Sequence, residues 1–188
     1  MSNGFSKERT LTFFGPIRPP QTTSLRCALC QMINEGAEKV TILFASDGGS
    51  TDDGIALHTY LTALPMEITM HAVGTVPSIA IPVFLSTPKR LASKHASFFF
   101  HEFTWTHPQA TTLTQSTMAE QIILLNAAMV WTKEVVKATT KLTDDDFQTM
   151  KLFDHPVLIA GAAASEHGIV TSITEPSILA GSQPRIVM

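Results

Sequence analysis

Two short runs rich in β-formers, V-T-I-L-F-A at Val40–Ala45 and E-I-T-M-H-A-V at Glu67–Val73, flank a stretch with a different period. Between them Ser46-Asp47-Gly48-Gly49-Ser50 is a turn signal, after which Ile55, Leu57, Leu61 and Leu64 supply helical core contacts until Pro65. Strand, helix and strand at this separation make a βαβ unit with parallel strands and a right-handed crossover. Parallel strands are buried on both faces, which accounts for the nearly unbroken apolar character of Val40–Ala45. The fold class is therefore α/β. A length of 188 residues suits one domain spanning 1–188, with 1–9 and 175–188 as loosely held tails.

The rest of the chain extends this pattern. Thr10–Gly15 alternates like a strand, and Leu25, Ala28, Leu29, Met32 and Ile33 form the apolar stripe of a helix over 22–35, stopped by Gly36. Lys89–Ala92 and Ala96–Phe103 read as strands, and His107-Pro108-Gln109 as loop. Thr114–Thr140 is one long helix, apolar almost all round at Ile122–Leu125 and Ala127–Trp131, and so in need of cover on more than one side. A partner subunit is the simplest cover. Thr143 with Asp144, Asp145 and Asp146 caps and opens another helix, Ala160–His167 is a short one stopped by Gly168, and Ile169–Ile173 closes the sheet or packs on it.

Composition narrows the function classes. A net charge of -3 gives no basic field for a phosphate backbone, so a nucleic-acid role is disfavoured. Charged residues are only 15% of the chain against 44% apolar, which again points to surface covered by other subunits. The first twenty residues lack the apolar core of a secretory signal, and the longest apolar runs fall short of the roughly 20 residues that span a bilayer. The expectation is a soluble cytoplasmic protein. Cys27 and Cys30 form a lone C-A-L-C with no second pair and no histidine at finger spacing, so no metal site is expected, and the two thiols are read as buried beside Leu29 and Ile33.

The chemistry centres on V-G-T-V-P-S-I-A, Val73–Ala80. An alternating segment runs into Gly74, and a tight Thr75-Val76-Pro77 passage delivers Ser78 to the head of an apolar helix. Such a serine either caps the helix or serves as a nucleophile on a sharp strand-to-helix turn. Gly48-Gly49 after one strand and His101 at the end of a later one favour the second reading. Acyl transfer needs a nucleophile, a base and backbone amides aimed at the developing oxyanion. Gly48, with no side chain to obstruct approach, and Ile79, the residue after the serine, supply the amides.

These motifs resemble the proteolytic subunit of the Clp protease, a self-compartmentalising serine peptidase with a crotonase-like ββα-spiral fold. The resemblance covers about Leu11–Ile173. S-D-G-G-S at Ser46–Ser50 is similar to the family's S-P-G-G-S, G-T-V-P-S-I-A to its G-Q-A-A-S-M-A turn, and F-F-H-E-F to the strand that ends on its base. It implies Ser78 as nucleophile, His101 as base, Gly48 and Ile79 as the oxyanion hole, no cofactor, and Thr114–Thr140 as the protruding handle helix that interlocks two rings. For the third triad member, counting from Thr143 gives Asp154, whereas counting back from A-S-E-H-G-I-V gives Pro156. Asp154, followed by a two-residue insertion, is preferred.

The departures are Asp47 for the family proline, Pro77 for the alanine before the nucleophile, and Phe103-Thr104-Trp105-Thr106 for the glycines that grip substrate as an added strand. The implied partners are a peptide or unfolded-protein substrate, further copies of the chain in a ring, and a AAA+ unfoldase, although the N-terminal segment does not match the family's axial gating loop. Two other readings use the same fold: a catalytically idle ring subunit, and a crotonase-type enzyme that polarises an acyl-CoA thioester.

Overall fold

The computed structural model describes residues 7–105 and 114–178 together with the backbone of 185–187. Residues 1–6, part of the expected N-terminal tail, and the loop read at His107-Pro108-Gln109 lie outside the described residues. The βαβ unit forms as the periodicity demands: β2 (Lys39–Ala45), α2 (Thr51–Thr62) and β3 (Glu67–Ala72). Ser50 is the helix cap, its hydroxyl accepting from the Asp53 amide at 3.2 Å, and Asp52 and Asp53 lie in the first turn where the helix dipole favours carboxylates.

Around this unit, β1 (Glu8–Phe14), β5 (Lys89–Ala92), β8 (Ser172–Ile173) and β9 (Arg185–Val187) complete a six-stranded sheet in the order β8-β5-β3-β2-β1-β9, every pair parallel. The tail expected to hang loose from Glu175 thus includes a strand pairing with Leu11–Phe13, and Glu175 itself accepts from the Lys94 amide at 2.9 Å. A second sheet of β4 (Thr75–Pro77), β6 (Ser97–Phe100) and β7 (Val157–Ala160) runs β4-β6-β7, with β4 and β6 parallel and β7 antiparallel. The Thr75–Pro77 passage is therefore a short strand, not a bare turn.

The buried helix α3 (Ala80–Phe84) lies between the sheets, and a file of rings joins them. Phe13 stacks on Phe44 at 5.4 Å, Phe44 meets Phe84 at 6.3 Å, and Phe84 meets Phe98 at 5.1 Å. Each buried aromatic contributes large apolar area, and ring pairs add about 0.5–1.5 kcal/mol beyond it. Helix α1 (Gln21–Asn34) covers the main sheet with Thr22, Leu25, Leu29 and Met32. Cys27 and Cys30 fall off that stripe and are exposed, against the buried pair expected.

The long helix α4 (Gln115–Thr139) is capped by Thr114, and buries only Ala128, Thr132 and Val136, all in its C-terminal half. Met118, Ile122, Ile123, Leu124 and Val130 are exposed, so the apolar surface anticipated from sequence stands uncovered on one chain. Thr143 and Asp146 close a reciprocal capping box on α5 (Asp144–Thr149), and these hydrogen bonds hold the Asp146 carboxyl below its ordinary value. The short helix α6 (Gly161–Glu166) then leads to β8. No helix among the described residues is long and apolar enough to cross a membrane.

Two buried polar side chains tie distant segments together. Arg90 of β5 donates to the carbonyls of Thr87 at 3.2 Å, Thr139 at 2.7 Å and Gly168 at 3.0 Å, fastening the end of α4 and the turn after α6 to the sheet. Replacing Arg90 with Met leaves these carbonyls without their donor, at roughly 1–3 kcal/mol for each one that water cannot reach. We expect a loss of about 3 kcal/mol, read as a lower urea midpoint at unchanged slope.

His71 of β3 bonds through Nε2 to the Thr174 carbonyl at 2.9 Å, and since a carbonyl only accepts, Nε2 carries the hydrogen. Burial pushes the imidazole below its ordinary value, the Thr174 bond and the Glu175 carboxylate opposing this more weakly. The unfolded chain therefore binds the proton first. Stability is fully present above the unfolded value of about 6.5 and falls as the pH drops toward the lower folded value. Urea midpoints measured between about pH 8 and pH 5 should show this acid-side loss, and His71→Leu should remove its share of the slope.

Candidate active site

Ser78 sits where β4 turns into α3, with φ 54°, a conformation that costs a non-glycine residue roughly 1–2 kcal/mol. The residue at the cap position of α3 is Ile79, and the Ser78 hydroxyl accepts from no amide of that helix among the described residues. The capping explanation for Ser78 therefore fails, and the turn is a strained one of the kind that lifts a side chain off a sheet. It is pinned by the Ser78 amide donating to the Phe99 carbonyl at 2.9 Å and by the Ile81 amide donating to the Ser78 carbonyl at 3.0 Å. Ile79 is completely buried and its amide finds no acceptor among the described residues.

Gly48 comes to Ser78 from the main sheet. A Cβ on Gly48 would lie 3.2 Å from Ser78 Cβ and 3.8 Å from its hydroxyl oxygen, so the glycine backbone passes beside the nucleophile candidate. The Gly48 amide donates to Ser46 Oγ at 3.2 Å, and Ser46 Oγ in turn donates to the Gly15 carbonyl at 2.7 Å. At Gly49 a Cβ would meet the Ile17 carbonyl oxygen at 2.4 Å, a position open only to glycine. The Ile17 amide donates to Gly48 at 2.7 Å and the Ser50 amide to Ile17 at 2.9 Å, which fixes the turn.

His101 follows β6 directly. The parallel register pairs Pro77 with Phe99, so Ser78 and His101 leave neighbouring strands at the same end of the small sheet. The imidazole leans on the Phe99 ring at 5.3 Å, and Nδ1 bonds to the Glu102 carbonyl at 2.7 Å. That bond requires the hydrogen on Nδ1 and leaves Nε2 as the basic nitrogen, the tautomer a serine base needs. Asp154 is carried to the same region by its neighbour. Phe153 is buried with φ 68° and packs on Phe100 at 5.2 Å, Phe103 at 6.1 Å and Phe147 at 6.3 Å, two of which bracket His101 in the chain. The Asp154 carboxylate, however, is exposed and takes Lys133 Nζ of α4 at 3.2 Å. No hydrogen bond joins Ser78 to His101 or His101 to Asp154 among the described residues.

The family model described as Clp protease matches residues 1–177. The chain belongs to the Clp protease family. No curated protein matches it. Among solved structures, an asparagine-to-aspartate mutant of ClpP1 from Listeria monocytogenes superposes with a TM-score of 0.76 at 18% identity, over 89% of this chain and 92% of that one. The Clp protease fold, a mixed α/β spiral with a parallel sheet and a long handle helix, is thus the architecture described above.

Sequence reasoning missed three residues that shape this Clp-type site. Lys133 follows the apolar stretch of α4 with no motif to mark it, and only the structure brings it to Asp154. Phe99, one of the residues of the strand expected over Ala96–Phe103, supports the imidazole. Gly54 lies inside α2, and a glycine in a helix interior is the signal that should have been followed. A Cβ there would fall 2.2 Å from Ile79 Cγ1, so its absence seats α2 against the residue whose amide follows the serine. Alanine is intrinsically the better helix former by about 0.8–1.0 kcal/mol. Gly54→Ala should nevertheless destabilise the protein by about 1–3 kcal/mol, the usual penalty for overpacking a filled core, as measured by urea unfolding.

Proposed function

We propose that this chain is a serine endopeptidase acting on peptide or unfolded-protein substrates inside an oligomeric ring. The observation that carries the reading is the left-handed backbone of Ser78 on a strand-to-helix turn, with the Gly48 backbone alongside it. In this mechanism Ser78 Oγ attacks the peptide carbonyl and His101 Nε2 takes its proton, later returning it to the leaving amine. Asp154 steadies the imidazolium, and the amides of Gly48 and Ile79 receive the oxyanion. Water then repeats the sequence on the acyl-enzyme. The Glu102 carbonyl holds the productive tautomer meanwhile, and hydrogen bonds of such sites commonly tighten only when substrate is bound.

The exposed apolar residues of α4 support assembly with further copies of the chain, a second ring being the natural cover for Ile122, Ile123 and Leu124. The engagement of Asp154 by Lys133 and of the Gly48 amide by Ser46 favours a second reading, a ring subunit that assembles but does not hydrolyse.

A fluorophosphonate probe separates the two. On assembled protein it should label one site, lost in Ser78→Ala, and turnover of a short fluorogenic peptide should fall by ~10⁴ or more in that variant. Absence of labelling on folded, assembled protein would establish the idle subunit instead, and equal labelling of Ser78→Ala would sink the assignment of the nucleophile.

A further inference from the structure

A second cluster of reactive side chains lies where α1 meets α2. Cys27 and Cys30 are the only cysteines of the chain, and both are exposed on α1. The Cys30 sulfur lies 3.2 Å from the Tyr60 hydroxyl of α2, and that hydroxyl is 3.4 Å from the Arg26 carbonyl. Either atom of the thiol–phenol contact can donate, so the phenol hydrogen is open to both the Arg26 carbonyl and the Cys30 sulfur. Burial and the hydrogen bond with Cys30 push the phenol up to about 12, so Tyr60 remains protonated and able to donate to the Cys30 sulfur. Cys27 has no hydrogen-bond partner among the described residues. No third metal ligand joins the pair there, since no group of three or more His, Cys, Asp or Glu side chains converges among those residues. The chemistry left to two exposed thiols one helical turn apart is thiol–disulfide exchange.

We propose that Cys27 and Cys30 are a reversible dithiol–disulfide pair, oxidised by a low-molecular-weight disulfide of the glutathione type, with Cys27 the attacking thiol and Cys30 the resolving one. The Cys27 thiolate attacks one sulfur of the oxidant, forming a mixed disulfide and releasing one thiol. Cys30 then gives its proton to solvent and attacks Cys27 Sγ, releasing the second thiol. Two protein thiols are oxidised and one disulfide is reduced, so electrons and atoms balance. Helical geometry sets the Cα atoms of such a pair about 5 Å apart, inside the range a disulfide spans. Their Cβ atoms, roughly 5–6 Å apart on a regular helix, must approach to roughly 3.5–4.5 Å. Closure therefore deforms α1 around the buried Leu29 and breaks the Cys30–Tyr60 contact, which makes the bond easily reduced and suited to switching rather than to holding the fold.

The test uses the full chain equilibrated with graded ratios of oxidised to reduced glutathione, quenched by alkylation and weighed intact. The wild type should lose both thiols together with the loss of two hydrogens and no lasting adduct. Cys27→Ser and Cys30→Ser should each stop at one glutathione adduct, and Cys30→Ser should acquire it the faster. Glutathione retained on both sulfurs of the wild type, disulfide-linked chains, or both thiols still alkylated where the single-cysteine variants already carry adducts would each overturn the proposal. Faster adduct formation at Cys30 than at Cys27 would overturn the assigned order.

Discussion

The turn after β2 exists because two backbones touch. At Gly49 the chain runs so close to Ile17 that a single added carbon would lie 2.4 Å from the Ile17 oxygen, and hydrogen bonds on both sides hold the contact shut. This contact fixes where Gly48 faces Ser78 and where α2 begins at Ser50. Gly54 then repeats the device one turn into α2, where the missing side chain admits Ile79. The two candidate oxyanion amides thus come from different elements, and each is positioned by a side chain that is absent. Close packing of this kind tolerates little adjustment, because interiors are as dense as organic crystals.

What the sequence made legible was whatever repeats with a period. The βαβ unit, α1, α4 and the capped α5 all announce themselves through spacing and end signals, and their observed bounds differ from the expected ones by a residue or two. The elements it concealed are those defined by a partner far along the chain. Thr75–Pro77 is too short and too proline-bound to read as a strand, and becomes one because Ser97–Phe99 lies beside it. Arg185–Val187 likewise gains its strand character from β1. Cys27 and Cys30 were misplaced because an i, i+3 pair shares a face without saying which face. The stripe that turns inward passes through Leu25, Leu29 and Met32, leaving the thiols outside.

At the site the same division holds. The serine turn and the Gly-Gly turn were visible because both carry local chemistry, a left-handed or close-approach backbone flanked by strand and helix signals. Asp154 was ambiguous by counting alone. Its place is set by Phe153, whose ring is gripped by Phe147 just upstream and by Phe100 and Phe103 from a segment some fifty residues away. No local pattern encodes that grip.

The contacts of the three candidate residues differ in how firmly they are held, and the difference bears on function. The Ser78 turn is clamped by backbone hydrogen bonds and the imidazole by a ring and a carbonyl, whereas Asp154 rests in an exposed ion pair with Lys133. Exposed pairs of this kind contribute about 0–1 kcal/mol. Under the proposed mechanism, moving the carboxylate from the lysine to the imidazolium gives up little ion-pair energy, but it must displace the Glu102 carbonyl from Nδ1 to gain a charge-assisted bond. Lys133 belongs to α4, the same helix whose outer half presents Ile122, Ile123 and Leu124 to whatever covers it. The partner of Asp154 and the exposed apolar residues thus stand on one helix, Lys133 in its C-terminal half and Ile122, Ile123 and Leu124 in its N-terminal half.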